Sequence, residues 1–198
     1  MSDAPEPLPA LHAHAMDNLR FIRQAMERAG PFTAVPGWGG VAIGVVALAA
    51  AAVAGPVEAG APWLAAWLAA AALSVVIGLA AIARKARASG APFIGTPLQR
   101  FALAYVPPLA AGAVLTPVFV ANGLTTRLPG CWLLLYGTAL VAGGALSVRI
   151  VPLMGVAFMV LSAAAFAAPA AWGNAFMAAG FGGFHIFFGL VIARRYGG

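Results

Sequence analysis

Residues 131–168 read CWLLLYGTALVAGGALSVRIVPLMGVAFMVLSAAAFAA, two apolar runs interrupted by a single charged side chain, Arg149. Each run, Cys131–Val148 and Val151–Ala168, approaches the roughly 20 apolar residues that cross a hydrocarbon core about 30 Å thick. A turn this short makes the two segments antiparallel neighbours. Arg149 at the turn snorkels to phosphates or caps the last carbonyls of the first run, either being an ordinary use of arginine at a membrane face.

Working outward, four more segments have the same character: Gly39–Gly55, Trp63–Ala83, Phe101–Ala121 and Asn174–Ala193. The 198-residue chain is 63% hydrophobic and 8% charged, against roughly 25% charge in ordinary soluble domains. Its mean hydropathy is +0.95. A soluble fold is excluded, because so few charges cannot form a skin over a core. The reading is all-α: a six-transmembrane-helix bundle of antiparallel hairpins over residues 36–198, preceded by a cytoplasmic segment, 1–35, with an amphipathic helix.

Every Asp, Glu, Lys and Arg lies outside the six spans, and ten of the eleven basic residues fall on one side, leaving only Arg127 on the other. The positive-inside rule places both termini in the cytoplasm. The net charge of +6 therefore reports orientation; scattered between apolar blocks, it forms no nucleic-acid face. With Asp3, Glu6 and several prolines ahead of the first span, no cleavable signal peptide is expected. Arginine outnumbers lysine ten to one, and Ala and Gly abound, which fits a bacterial inner membrane protein. The lone Cys131 excludes an internal disulfide. Trp63, Trp67, Trp132 and Trp172 are expected as anchors at the outer interface, Trp38 and Tyr196 at the inner one.

The first and last hairpins read as copies. Gly40-Val41-Ala42 matches Gly155-Val156-Ala157, Pro56 matches Pro169 in the outer turn, and Gly78-Leu79 with Arg84-Lys85 matches Gly189-Leu190 with Arg194-Arg195. The middle pair is a third, more divergent copy in this reading, and the relation is a parallel repeat about the membrane normal.

Ahead of the spans, Ala15, Leu19, Ile22, Met26 and Ala29 line one helical face, with Arg20, Arg23 and Arg28 on the other and Gly30-Pro31 as the stop. Two uses fit. The helix lies on the inner leaflet with its arginines toward lipid phosphates, or it docks to another copy or a protein partner through its 4-3 seam. His12 and His14, two residues apart, fall on different faces and make no metal site.

Within the spans, His185 is the only strongly ionisable side chain, and an intramembrane histidine needs a reason to be there. Gly182 and Gly189 share its face and leave room for a close helix or a flat ligand. One reading has the neutral imidazole hydrogen bonded to a carbonyl or hydroxyl of a neighbouring helix. The other has it ligate a haem or chlorin, or relay a proton. The third span carries Pro107, Pro108 and Pro117 and is expected to be kinked or broken; with Thr116 it is the place for a pore or lined site. Gly40–Gly44 forms a GxxxG face for close helix approach.

Four stretches, MDNLRFIR (16–23), VPGWGG (35–40), LPGCWLLLYG (128–137) and GFGGFH (180–185), resemble a family of small multi-pass bacterial membrane proteins without an assigned activity. The resemblance implies six spans and no catalytic or binding residues. No phosphate loop, HExxH, CxxC or intramembrane acid pair is present, so an enzyme is not expected. Three expectations follow: a non-enzymatic interaction or regulatory protein of the inner membrane, a small homo-oligomeric channel or facilitator using the broken third span and His185, or a pigment-binding subunit.

Overall fold

The computed structural model describes residues 14–22, 32–33, 35–88 and 95–196, in two compact units, Met1–Pro31 and Phe32–Gly198. In the first unit residues 14–22 are helical and exposed, and Arg20 pairs with Asp17 at 3.7 Å, one turn back. Leu19 and Ile22 are among the exposed side chains; Arg23, Met26 and Arg28, expected on the same helix, lie outside the described residues.

The second unit is a helical bundle: α1 (Gly37–Ala54), α2 (Ala61–Ala88), α3 (Thr96–Ala121), α4 (Leu128–Gly144), α5 (Ile150–Ala167), α6 (Gly173–Met177), a π-helical turn (Ala178–Phe184) and α7 (His185–Tyr196). Among the described residues, five helical runs are long and apolar enough to cross a membrane: α1, α2, α3, α5 and the composite run Ala170–Tyr196. The remaining helix, α4, has 17 residues, about 25 Å at 1.5 Å per residue. Pro at the first turn of α3 and of α4 suits those positions, whose N–H groups have no partner within the helix.

Three hairpins follow in order, α1–α2, α3–α4 and α5 to α7. At each tip sits one 3₁₀ turn, Val57–Ala59, Thr125–Arg127 and Ala170–Trp172, and the first of these touches both others. At the opposite end lie Arg84, Lys85, Arg100, Arg149, Arg194 and Arg195, so this is the basic end of the bundle. There Phe32 N–H donates to the Leu146 carbonyl (2.8 Å) and Ser147 Oγ donates to the Phe32 carbonyl (2.6 Å). Lys85 Nζ donates to the carbonyls of Val35 (2.9 Å) and Tyr196 (3.1 Å), clasping α2 to both chain ends of the bundle.

Two seams join the hairpins, and both depend on glycine. In the α4/α5 seam a Cβ on Gly155 would stand 2.7 Å from the Gly137 carbonyl oxygen and 2.8 Å from Val141 N. In the seam between α1 and the last helix, a Cβ on Gly44 would stand 2.7 Å from the Gly182 carbonyl oxygen and 3.0 Å from Ile186 N. The two arrangements match atom for atom, since Val141 and Ile186 each lie four residues past the facing glycine. In lipid no hydrophobic force draws helices together, so such close backbone packing supplies the association.

This geometry corrects the repeat register. Gly155 corresponds to Gly44, one helical turn beyond the Gly40 paired with it by the GVA match. The separation from Gly44 to Gly155 then equals that from Gly78 to Gly189, while the outer turns at Pro56 and Pro169 stand two positions out of this register. Gly137, Gly144 and Arg149 likewise keep the spacing of Gly182, Gly189 and Arg194. The third seam, between α2 and α3, is not closed. α2 packs chiefly on α1 and α3 on α4, and Ala71, the counterpart of Gly182, borders empty space.

The third span, expected to be kinked or broken, corrects the second of these expectations. It is not broken: α3 runs continuously from Thr96 to Ala121 with Pro107, Pro108 and Pro117 inside it. Each proline removes one backbone donor, yet no water competes for the remaining bonds in lipid, which favours keeping the helix. Near its end Thr116 Oγ1 donates to the Gly112 carbonyl at 2.7 Å.

Candidate lipid-facing cavity

The open seam is a cavity of about 670 Å³ between α2 and α3, floored by α1, α4 and α7. It runs from Trp67 to Ile82 along α2 and from Thr116 to Phe101 along α3, in each case about 22 Å by helical rise. Its walls are almost wholly apolar, with Ser74, Tyr105, Thr116, Tyr136 and His185 as the polar contributors. By the repeat register Ser74 is the counterpart of His185.

His185 is 5% exposed and sits where the π-helical turn hands over to α7. Gly180, Gly182 and Gly183 have low helix propensity, which lets the backbone widen into this rare turn, often found at functional positions. The imidazole Nε2 shares a 2.7 Å hydrogen bond with the Tyr136 hydroxyl of α4. When the hydroxyl donates, the proton of the neutral ring lies on Nδ1. That atom is buried without a hydrogen-bond partner. Phe158, Phe181 and Tyr136 surround the ring at centroid distances of 5.6, 6.2 and 5.3 Å. Tyr105 completes the group, its ring edge-on to Tyr136 at 6.3 Å.

The space that Gly182 and Gly189 leave beside His185 is taken by α1: Leu48 fills it at Gly182, and Val41 and Gly37 at Gly189. A close helix occupies this face. Pro107 and Pro117 are exposed and Pro108 half-buried, and none of them lines the cavity. Thr116 does line it, tied to α4 by a 2.9 Å bond from Trp132 Nε1. No described group of three or more His, Cys, Asp or Glu residues could hold a metal ion.

The tryptophans also depart from expectation. Trp63 is fully buried, Trp67 is 4% exposed and Trp132 is partly buried; of the four expected at the outer interface, only Trp172 faces outward. Both Trp63 and Trp67 donate their indole N–H to Asn174 Oδ1 (3.2 and 3.0 Å), while Asn174 Nδ2 donates to the Ala51 carbonyl at 2.8 Å. Trp63 stacks on Trp132 at 5.6 Å. A buried amide needs partners in lipid, and this cluster gives Asn174 three hydrogen bonds while tying α1, α2 and α6 together.

Sequence reasoning singled out His185 and Thr116 but missed Tyr136, Tyr105, Ser74 and the cavity itself. The matched spacing of Gly137, Gly144 and Arg149 with Gly182, Gly189 and Arg194 was a readable signal that α4 and the last helix are counterparts. Ala71 in place of the corresponding glycine was the sign that the third seam differs. Compared with known proteins, the chain matches no protein-family model, no curated protein and no solved structure.

Proposed function

We propose that this is a non-enzymatic, six-span protein of a bacterial inner membrane, with both termini cytoplasmic, that holds a lipophilic molecule taken laterally from the bilayer. The observation that carries this reading is the apolar cavity of about 670 Å³ open between α2 and α3. Its volume is in the range of ligand sites, which are mostly apolar with a few placed polar groups. α4 serves as the sixth crossing, its 17 residues at the short limit for a span. The bundle belongs with the small multi-pass bacterial proteins that its sequence resembles.

The test is extraction in mild detergent followed by organic extraction and mass spectrometry. A lipophilic species retained near one per chain, and lost in Gly78→Phe, supports the reading. Gly78 is chosen because a Cβ there meets only Ile43 Cδ1, at 3.8 Å, so the new ring projects into the cleft without forcing helices apart. Retention of no such species, with no uptake of added long-chain probe, overturns it.

A second reading concerns residues 14–22, whose exposed Leu19 and Ile22 have Arg20 beside them. This helix contacts the inner leaflet or a partner, another copy included. Deleting residues 1–30 then leaves a stable bundle and abolishes liposome or partner crosslinking. Unchanged crosslinking sinks it.

A further inference from the structure

Resting on the reading of the cavity as a ligand site, we infer that its occupant is a neutral, lipid-soluble carbonyl compound of the quinone class, held by a hydrogen bond from the Tyr136–His185 pair at the middle of the membrane. Three observations converge. The first is a count of hydrogens. A phenol and a neutral imidazole bring one O–H and one N–H, and the 2.7 Å bond between the Tyr136 hydroxyl and His185 Nε2 uses only one of the two. When Tyr136 donates, the spare hydrogen is on Nδ1, which has no partner. When Nε2 donates, the spare hydrogen is that of the Tyr136 hydroxyl. Passing it to the neighbouring Tyr105 only moves the surplus to the Tyr105 hydroxyl. All three residues line the cavity. The wall therefore has a hydrogen to donate in every arrangement, and a buried donor left unpaired costs free energy.

The second is depth. Ser74 stands at the middle of the 28-residue α2, about 20 Å from either end by helical rise, and by the repeat register His185 is its counterpart. A charged headgroup at that depth is expensive, so an ordinary lipid keeps its polar atoms at the interface and turns only hydrocarbon toward this donor. A neutral carbonyl oxygen reaches it and accepts the bond.

The third is the wall's chemistry. Thr116 is committed, donating to the Gly112 carbonyl and accepting from Trp132 Nε1. The other polar contributors are the Ser74, Tyr105 and Tyr136 hydroxyls and the imidazole. No carboxylate or amide side chain is among them, so a ligand hydroxyl would add one more hydrogen to a surplus, whereas a carbonyl only accepts. Trp67, Tyr105, Trp132 and Phe181 also border the space. Aromatic faces of this kind suit a flat conjugated ring in offset or edge contact, and a quinone joins such a ring to carbonyl acceptors and an apolar tail.

The experiment uses the full chain in maltoside micelles and two probes of similar ring and tail: decylubiquinone, and decylpentamethylbenzene, which has no oxygen. Saturable retention of each through size exclusion is measured by organic extraction and mass spectrometry. Decylubiquinone is expected to bind about tenfold more tightly than the hydrocarbon, the worth of one good hydrogen bond. Tyr136→Phe with His185→Phe removes both donors and should bring the two probes level while hydrocarbon retention stays. A second measurement needs no variant: the infrared carbonyl stretch of bound, carbonyl-labelled decylubiquinone should lie below that of the quinone free in micelles. Equal retention of the two probes, or an unshifted stretch, overturns the carbonyl ligand and leaves the cavity as a site for another apolar molecule. A quinone preference that survives in the monodisperse double variant overturns the role of the pair. Retention of neither probe, or retention of both undiminished by Gly78→Phe, overturns the cavity as a ligand site.

Discussion

Replacing Gly155 by alanine tests the packing that defines the bundle. The new Cβ would lie 2.7 Å from the Gly137 carbonyl oxygen and 2.8 Å from Val141 N, where ordinary contact begins at 3.4 Å. α4 and α5 must therefore separate by roughly 0.7 Å along their seam, and a gap of that size forfeits about a quarter to a half of each dispersion contact across it. Overpacking of this kind costs about 1–3 kcal/mol, while removing a helical glycine returns up to about 1 kcal/mol. The expected net loss is about 1–2 kcal/mol. Gly78→Ala is the matched control: its Cβ would meet nothing closer than 3.8 Å, so only the propensity term remains and stability should stay level or rise by up to about 1 kcal/mol. The assay is equilibrium unfolding of the purified protein in mixed micelles, followed by the emission of the buried Trp63 and Trp67. Gly155→Ala with stability equal to or above that of the wild type would refute the argument that the glycine seams hold the hairpins together.

Tyr136→Phe strands the His185 Nε2 in a buried site and should cost about 1–3 kcal/mol. Tyr136→Phe with His185→Phe should cost less than the two single losses combined, and additivity in a double-mutant cycle would show that the 2.7 Å bond carries no coupling. Asn174→Leu removes acceptor and donor for three bonds, leaves two indole N–H groups unpaired, and should lower stability by about 2–4 kcal/mol with a shift in tryptophan emission; unchanged emission counts against the cluster. Because α3 is continuous, Pro107→Ala should leave fold and ligand retention intact and hold or raise stability, since a helical N–H is restored; loss of the fold on size exclusion would show that the proline is needed.

The two closed seams each resist the same substitution for the same reason. The α2/α3 seam differs in one respect that a backbone can feel: it has no glycine pair in contact. A bundle assembled from three hairpins thus closes twice and stays open once.

His185 shows how far a sequence reading reaches. One ionisable residue among apolar ones is visible in any window, and its burial follows from the cost of charge in lipid. Its partner is not visible. Tyr136 sits in a run of leucines 49 positions away, and nothing local says which helix will face it. Asn174 reads as the edge of a span, and Trp63, Trp67 and Trp132 as interfacial anchors, because composition reports depth and not azimuth. Only packing turns these side chains inward, where each indole N–H finds an oxygen.

What the amino-acid order alone determined is what each segment does with lipid: which stretches are apolar enough to be helices at membrane depth, where the turns fall, and which ends gather the arginines. These are local properties, decided residue by residue by transfer from water. The tertiary structure decided the neighbours: which hairpins close on glycine, the register of the repeat, the Tyr136–His185 pair, and the seam left open as a cavity. In lipid every helix face is apolar, so hydrophobicity cannot choose among them. The choice falls to backbone approach and buried hydrogen bonds, which exist only once the helices have met.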